Sequence, residues 1–374
     1  MTPLWDAVIV GAGPAGASAA HFLGVMGLRV LVLERESLPR DKPCGGAVPR
    51  SALARFPFDF GPVIEDAVTL VRYAWLGEEV AVLLPDAPVL MVRRREFDMH
   101  ILAHARAEVR DRTAVSEVRA EDDVVSVRTA DGATHAGRYL LVCEGSTGAL
   151  AAGLGLGSRR AATPTLQAEV PMSQAGSHWR GTALFQFGAL PGGYIWVFPR
   201  RESLSVGIVD FRRGRRPLRR VLEAELARLG IGADGVRWRG HPLPVFAGRH
   251  PLGRGRVLLL GDAAGLVDPL LGEGIRYAIR SGQLAADAVG HNLSAAEYTR
   301  RVMGDMGRSL QRAREIAGLF YRVPRLAYSI ATQDERGTRW MTDVLAERSD
   351  YCDMSHRLPR LVADYFRRRI GGKG

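Results

Sequence analysis

At 374 residues and 47% hydrophobic side chains, the chain can bury one large core or two intermediate ones. Its net charge of +11 is carried almost wholly by arginine, Lys42 and Lys373 being the only lysines, and it favours anionic lipid surfaces or acidic redox proteins; no nucleic-acid module accompanies it, so no nucleic-acid partner is expected. Three scattered cysteines exclude a disulfide framework and a zinc site, and with no apolar run of about 18 residues and no basic n-region the expectation is a cytoplasmic chain, soluble or peripheral on the inner face of the membrane.

Asp6 to Val10 predicts a short buried strand, Gly11-Ala-Gly-Pro-Ala-Gly16 a tight turn, Ala17 to Gly27 a small-residue helix and Arg29 to Leu33 a second strand. This is a βαβ unit of dinucleotide-binding length. Gly11 permits the turn, Gly13 lets the backbone approach a pyrophosphate, and Gly16 allows close helix-to-strand packing, so with Pro14 and Ala15 this turn is the expected phosphate site at a helix N-terminus. Glu34 ends the second strand, where a carboxylate accepts hydrogen bonds from a ribose. An acid there favours FAD or NAD over NADP.

The turn Pro43-Cys44-Gly45-Gly46, followed by Ala47, comes next. Val92-Arg-Arg-Arg-Glu-Phe-Asp98 leads into an amphipathic helix expected over Phe97 to Ala107, and Tyr139 to Cys143 predicts a strand ending in Glu144-Gly145-Ser146. No second GxGxxG follows. A separate pyridine-nucleotide domain is therefore not expected, and electrons come from NAD(P)H binding transiently or from another donor such as ferredoxin.

From Thr163 to Pro244 the pattern changes to short strands around Leu184 to Phe187, Tyr194 to Phe198 and Leu204 to Val209. They predict an antiparallel sheet inserted into the nucleotide-binding part. Tyr194, Trp196 and Phe198 share one strand face because side chains alternate. Such a face either packs a core or walls an apolar pocket. The run Arg256 to Leu260 predicts another buried strand, which places Asp262 of Gly261-Asp-Ala-Ala264 at a strand's carboxyl end. Gly272-Glu-Gly274-Ile275 opens a helix whose amides can stabilise negative charge. A second nucleotide contact this far along the chain points to a flavoprotein rather than a nicotinamide dehydrogenase. Finally, 311–325 and 358–370 mix apolar and arginine faces, as membrane-surface helices and ordinary solvated helices both do.

Three segments in order, Pro43-Cys44-Gly45-Gly46, Tyr194-x-Trp196-x-Phe198-Pro199 and Gly261-Asp-Ala-Ala-Gly265 through Gly272-Glu-Gly-Ile275, resemble the geranylgeranyl reductase family of FAD-dependent prenyl reductases, within the flavin hydroxylase-like superfamily. The resemblance spans roughly residues 4 to 290. Gly265 stands where aromatic hydroxylases usually carry histidine, and flavin-dependent halogenases read Trp-x-Trp-x-Ile-Pro in the aromatic strand. Two departures from the pattern are Ala47, where the family often has a third glycine, and Glu144, where the superfamily has aspartate.

The fold implied is α/β. A Rossmann-like FAD-binding domain of the flavin hydroxylase type takes 1–70, 92–160 and 250–295; an inserted antiparallel β-sheet substrate domain takes 71–91 and 161–249; a helical C-terminal region takes 296–374. The resemblance implies FAD contacts from Gly11, Gly13, Pro14, Ala15, Gly16, Glu34, Arg35, Cys44, Gly45, Gly46, Ala47, Arg94, Ala114, Glu144, Gly145, Asp262, Gly272, Gly274 and Ile275. It implies substrate contacts from Tyr194, Trp196 and Phe198, with Cys44, Tyr194 and Trp196 expected to be catalytic. The implied reaction saturates an isolated double bond of a geranylgeranyl or polyprenyl chain on a lipid or quinone, by hydride from reduced flavin N5 and a proton. Two other readings stay open on the sequence: a monooxygenase or halogenase of the same fold, and a flavin redox sensor or electron carrier built around Cys44.

Overall fold

Strand Val30–Leu33, the Ala7–Ile9 stretch of Trp5–Val10 and the Tyr139–Val142 end of Thr134–Val142 are buried, mainly aliphatic runs, the pattern of parallel strands covered on both faces. The computed structural model, which describes residues 4–121, 123–157, 163–214 and 216–371, puts them in one eight-stranded sheet. Lys373 lies outside the described residues. The sheet runs Gly253–Arg254, Val257–Leu259, Thr134–Val142, Trp5–Val10, Val30–Leu33 and Glu108–Arg110, and Val115–Ala120 and Val125–Thr129 extend Thr134–Val142 as a hairpin. Its central strands are parallel, in the register Val10↔Val142, Val10↔Leu33 and Val142↔Leu259. Gly11, Glu34, Cys143 and Leu260 therefore emerge side by side at one edge, where open α/β sheets bind their ligands.

The middle of the chain forms a seven-stranded sheet in the order Arg239–Leu243, Thr163–Pro171, Ser203–Asp210, Gly193–Pro199, Thr182–Phe187, Leu70–Trp75, Glu78–Leu83. Its pairings are antiparallel with one exception: Thr182–Phe187 runs parallel to Leu70–Trp75. That pair is joined by a connection passing through the other sheet, which is what parallel neighbours need and a hairpin cannot provide. A three-stranded sheet of Ala47–Pro49, Val89–Val92 and Ile64–Val68 sits between the two.

Every residue of Gly193–Pro199 and Ser203–Asp210 is buried. One face of this sheet is covered by helix Leu218–Arg228, through Leu222 and Leu226. The other face, carrying Phe185, Tyr194, Trp196 and Phe198, packs against Tyr328, Leu345 and Phe320 of the C-terminal helices. Those helices are Ala295–Val302, Arg308–Phe320, Pro324–Thr332, Glu335–Leu345 and Tyr351–Gly371. The expected segment 311–325 is thus divided: Pro324 begins a new helix at its first turn, where a missing N–H costs nothing. Helix Arg94–Ala103 begins three residues before the expected Phe97, because Arg94 reaches Asp98 one turn along. Among the described residues, no helix is long and apolar enough to cross a membrane.

Candidate active site

One cavity of about 730 Å³ lies between the carboxyl edge of the first sheet and the aromatic face of the second. At one end stands the glycine turn. Gly11 has φ +104°, and a Cβ on Gly16 would lie 1.9 Å from the Gly11 carbonyl oxygen, so both positions exclude any side chain. Pro14, Ala15 and Gly16 form the buried first turn of helix Pro14–Val25, whose N-terminal amides face the cavity. The space beside Gly13 is bounded by two guanidiniums: a Cβ there would sit 3.4 Å from Arg40 Nη2 and 3.5 Å from Arg94 Nη2.

Asp98 holds both cations. It accepts two hydrogen bonds of 2.7 Å from Arg94 and one of 3.3 Å from Arg40 Nη1. Arg94 is fully buried, yet its pKa is raised: burial opposes the charge and Asp98 more than offsets it. Glu34 accepts from the Ala12 amide at 2.9 Å and from Arg40 Nε at 3.2 Å. Burial works against its ionisation, but Arg40 and the Ala12 and Glu36 amides hold the carboxyl below its ordinary range. Arg35 stands at the mouth of the cavity, more than half exposed beside Glu36, and Ala114 lines the wall next to Thr113. Sequence reasoning singled out neither Asp98 nor Arg40 as a site residue.

The loop after Arg40 closes the middle of the cavity. Arg200, buried directly after the aromatic strand, donates to the carbonyls of Val92 and Cys44 at 3.0 Å each and pairs with Glu169 at 3.3 Å. This fixes Cys44 and Gly45 against the aromatic wall: a Cβ on Gly45 would lie 3.1 Å from the Phe198 ring and 3.6 Å from Trp196 Nε1. Gly46 has φ +82°, and Ala47 is the first residue of strand Ala47–Pro49, paired to Met91. Lys42, which sequence reasoning did not place in a site, has Nζ 3.6 Å from Asp262 Oδ2, and burial lowers its pKa against that carboxylate. Glu144 borders the cavity, but its carboxylate accepts from the Leu150 and Ala151 amides at 2.9 and 2.8 Å. Its side chain caps a helix; only the backbone of Glu144 and Gly145 is left to face a cofactor.

At the far end, Asp262 and the turn Gly272-Glu273-Gly274 approach the aromatic face, and Ile275 begins helix Ile275–Gly290. Tyr194 donates its hydroxyl proton to the Leu271 carbonyl, and burial raises its pKa further. That hydrogen bond ties the Tyr194 ring to the backbone of this turn. Trp196 lays its indole across Gly207 of the adjacent strand, where a Cβ would come within 2.0 Å. Phe198 completes the wall. The turn itself is organised by Asp268, whose Oδ1 accepts from the Leu270 and Leu271 amides at 2.7 and 2.8 Å. Its Oδ2, and both oxygens of Glu273, have no hydrogen-bond donor among the described residues, although Arg276 Nε lies 3.0 Å from Glu273 Oε2.

These residues fit a flavin adenine dinucleotide. The glycine turn with its helix N-terminus and two guanidiniums suits a pyrophosphate, Glu34 lies one strand away for the ribose, and the cavity continues without a break to an aromatic wall of ring size.

Residues 5–51 match the family profile described as an FAD binding domain. Over 363 residues the chain is 30% identical to a menaquinone reductase of Mycobacterium tuberculosis, covering 90% of this chain and 88% of the relative. Over 340 residues it is 26% identical to a digeranylgeranylglycerophospholipid reductase of Thermoplasma volcanium, covering 80% and 81%. Among solved structures, a geranylgeranyl bacteriochlorophyll reductase-like protein of Thermoplasma acidophilum superposes with a TM-score of 0.78 at 21% identity, over 96% of both chains. With its flavin hydroxylase-type fold, its FAD-binding turn and this full-length similarity, the chain belongs to the geranylgeranyl reductase family of FAD-dependent oxidoreductases.

Proposed function

We propose that the protein saturates isolated carbon–carbon double bonds of a geranylgeranyl or polyprenyl chain carried by a lipid or quinone. The observation that supports this most is a single cavity joining the phosphate-binding turn, the Cys44 loop and the Trp196 wall. An unpolarised alkene offers no carbonyl for acid catalysis, so the hydride comes from the reduced flavin when it is bound. The protein's share is to orient the chain and exclude water. Tyr194, Trp196 and Phe198 give an apolar surface for that purpose, held rigid by the Tyr194 bond to Leu271 and the Arg200 clamp on Cys44. Cys44 lies on the loop that faces this wall, and we assign its thiol to protonation of the second alkene carbon. The division of labour we propose follows the sheets: the eight-stranded sheet binds FAD, and the seven-stranded sheet with the C-terminal helices binds substrate. The electron donor is NAD(P)H or a protein such as ferredoxin, and the arginine-rich surface holds the protein at an anionic membrane.

The test is an anaerobic one. The purified yellow protein is reduced, mixed with a menaquinone or a geranylgeranyl lipid, and followed by flavin absorbance and product mass. Flavin reoxidation with two hydrogens gained per double bond is the expected result. No product under nitrogen but an oxygenated or halogenated product in air would overturn it, as would purification without any flavin.

A further inference from the structure

The substrate-facing side of the seven-stranded sheet is polar at one edge and aromatic at the other. Register places Gln167, Gly207, Trp196, Phe185 and Tyr73 opposite one another in a single row across five strands. The next row begins with His241, Thr165, Val209 and Tyr194. Residues paired across neighbouring strands share a face, so the cavity meets Gln167 and His241 on one side of Trp196 and Phe185 on the other. Gly207 leaves a gap in the row between them, and the indole of Trp196 lies over that gap.

The polar edge is built from neutral groups. Gln167 is buried, lines the cavity, and makes no side-chain hydrogen bond among the described residues. His241 reaches Ser146 Oγ at 3.1 Å through Nε2, and burial together with Lys42 pushes its pKa down to about 4, which keeps the imidazole uncharged. The nearby cation Lys42 is already paired with Asp262. A diphosphate calls for several free cations or a bidentate arginine. A carbonyl oxygen asks only for a neutral donor at the right place, and an amide and an imidazole supply that.

We propose that Gln167 and His241 bind the head of the substrate, an uncharged carbonyl-bearing ring of the quinone class, with the prenyl chain running from there over Gly207 and Trp196 toward Phe185. This rests on the prenyl-reductase reading and narrows it. Strands lie about 4.8 Å apart, so Gln167 and Trp196, two strands apart, are separated by roughly one isoprene-sized step beyond the ring. The head-bearing end of the chain is then the end offered for reduction.

The experiment titrates oxidised, FAD-loaded protein with a short-chain menaquinone, with geranylgeranyl diphosphate and with squalene, reading Kd from the shift in flavin absorbance. The menaquinone is expected to bind tightest. Gln167→Met and His241→Phe are each expected to weaken menaquinone about tenfold, the scale of one lost hydrogen bond, and to leave squalene unchanged. The affinity for FAD itself is expected to stay within about twofold, far less than one lost hydrogen bond would cost. Tighter binding of the diphosphate overturns the proposal. So does an equal loss for squalene, which would make these residues pocket shape only, or a loss of FAD affinity, which would make them cofactor contacts. Product mass separates this from the broader reading: head-dependent binding with no hydrogens gained defeats the reductase but not the subsite, whereas reduction of geranylgeranyl diphosphate without menaquinone binding does the reverse.

Discussion

Glu273 stands between the two glycines of the turn nearest the aromatic wall, with its carboxyl buried against Arg276 and Asp268. Two carboxylates face one guanidinium there, so a proton is needed to balance the cluster. Burial, opposed by Arg276 and reinforced by Asp268, pushes the Glu273 carboxyl up to about 8 from an ordinary value of 4.5. Between those values the folded protein holds a proton that the unfolded chain has released. The stability this group contributes is therefore full below about pH 4.5 and is lost as the pH rises toward 8. Glu273→Gln keeps the shape and removes the titration. Thermal unfolding measured at intervals from pH 5 to 8 is expected to show a clearly shallower decline in Tm for the variant, with Asp268, raised by the same burial, supplying what slope remains. Parallel declines for the two proteins would place the proton elsewhere. None of this was legible locally, because Glu-Gly-Ile at a helix start looks like an ordinary acidic first turn until Arg276 and Asp268 are seen to share its pocket.

At the scale of elements, the aromatic strand Gly193–Pro199 was readable from its alternation, since period two puts Tyr194, Trp196 and Phe198 on one face whatever the sheet around it. Its neighbour Ser203–Asp210 was expected as a strand over Leu204 to Val209, but nothing local marked which of its residues matters. It is buried on both faces, and its decisive residue is a glycine. Gly207 exists for the indole opposite. Gly207→Ala is expected to force Trp196 out of its place and into the cavity, at a cost of about 1–3 kcal/mol in chemical denaturation, the usual penalty for overpacking. The accompanying shift in indole fluorescence separates displacement of Trp196 from a backbone effect of the added methyl group. An unchanged emission spectrum with unchanged stability would show that the strands part easily and that the wall is less rigid than its packing implies.

Across the whole molecule, the C-terminal helices are tied to the segment from Leu270 to Tyr277 through a few buried polar groups. Arg276 donates to the Val344 carbonyl at 3.0 Å and to the Tyr277 hydroxyl at 2.8 Å, and Tyr321 donates to the Leu270 carbonyl at 2.8 Å. The remaining helices cover the aromatic sheet, with Tyr328 donating to the Tyr73 carbonyl at 3.1 Å. Arg276→Met would leave Glu273 and Asp268 without their counter-charge. A loss of roughly 3–5 kcal/mol is expected, as for other broken buried pairs, with earlier proteolysis of the region after Val344. Unchanged stability would mean that both carboxyls are already protonated and the arginine is dispensable. The arginine-rich segments at 311–325 and 358–370 were read as membrane-surface or ordinary solvated helices; Ala313 and Ala317 pack beside Leu270, and Leu361 and Tyr365 with Ile330, while Leu319, Val323 and Phe366 stay exposed.

What the sequence determined by itself was local chemistry: the glycine turn and the acid ending the next strand, the aromatic alternation, and the late Gly-Asp-Ala-Ala turn. Each depends on steric or hydrogen-bonding rules that act over a few residues, so spacing alone reveals it. Tertiary structure decided which of these meet. Arg40 beside Gly13, Arg200 on the Cys44 carbonyl, Gln167 across Gly207 from Trp196 and Arg276 between two acids join residues far apart in the chain or on different strands. The Gly-Asp-Ala-Ala turn is the clearest case: sequence placed Asp262 at a strand end, but only the parallel register of Val142 with Val10 and Leu259 brings that end beside Gly11 and Lys42. Pairing of distant strands is set by which faces can be buried together, a property of the folded whole that no short stretch of residues carries.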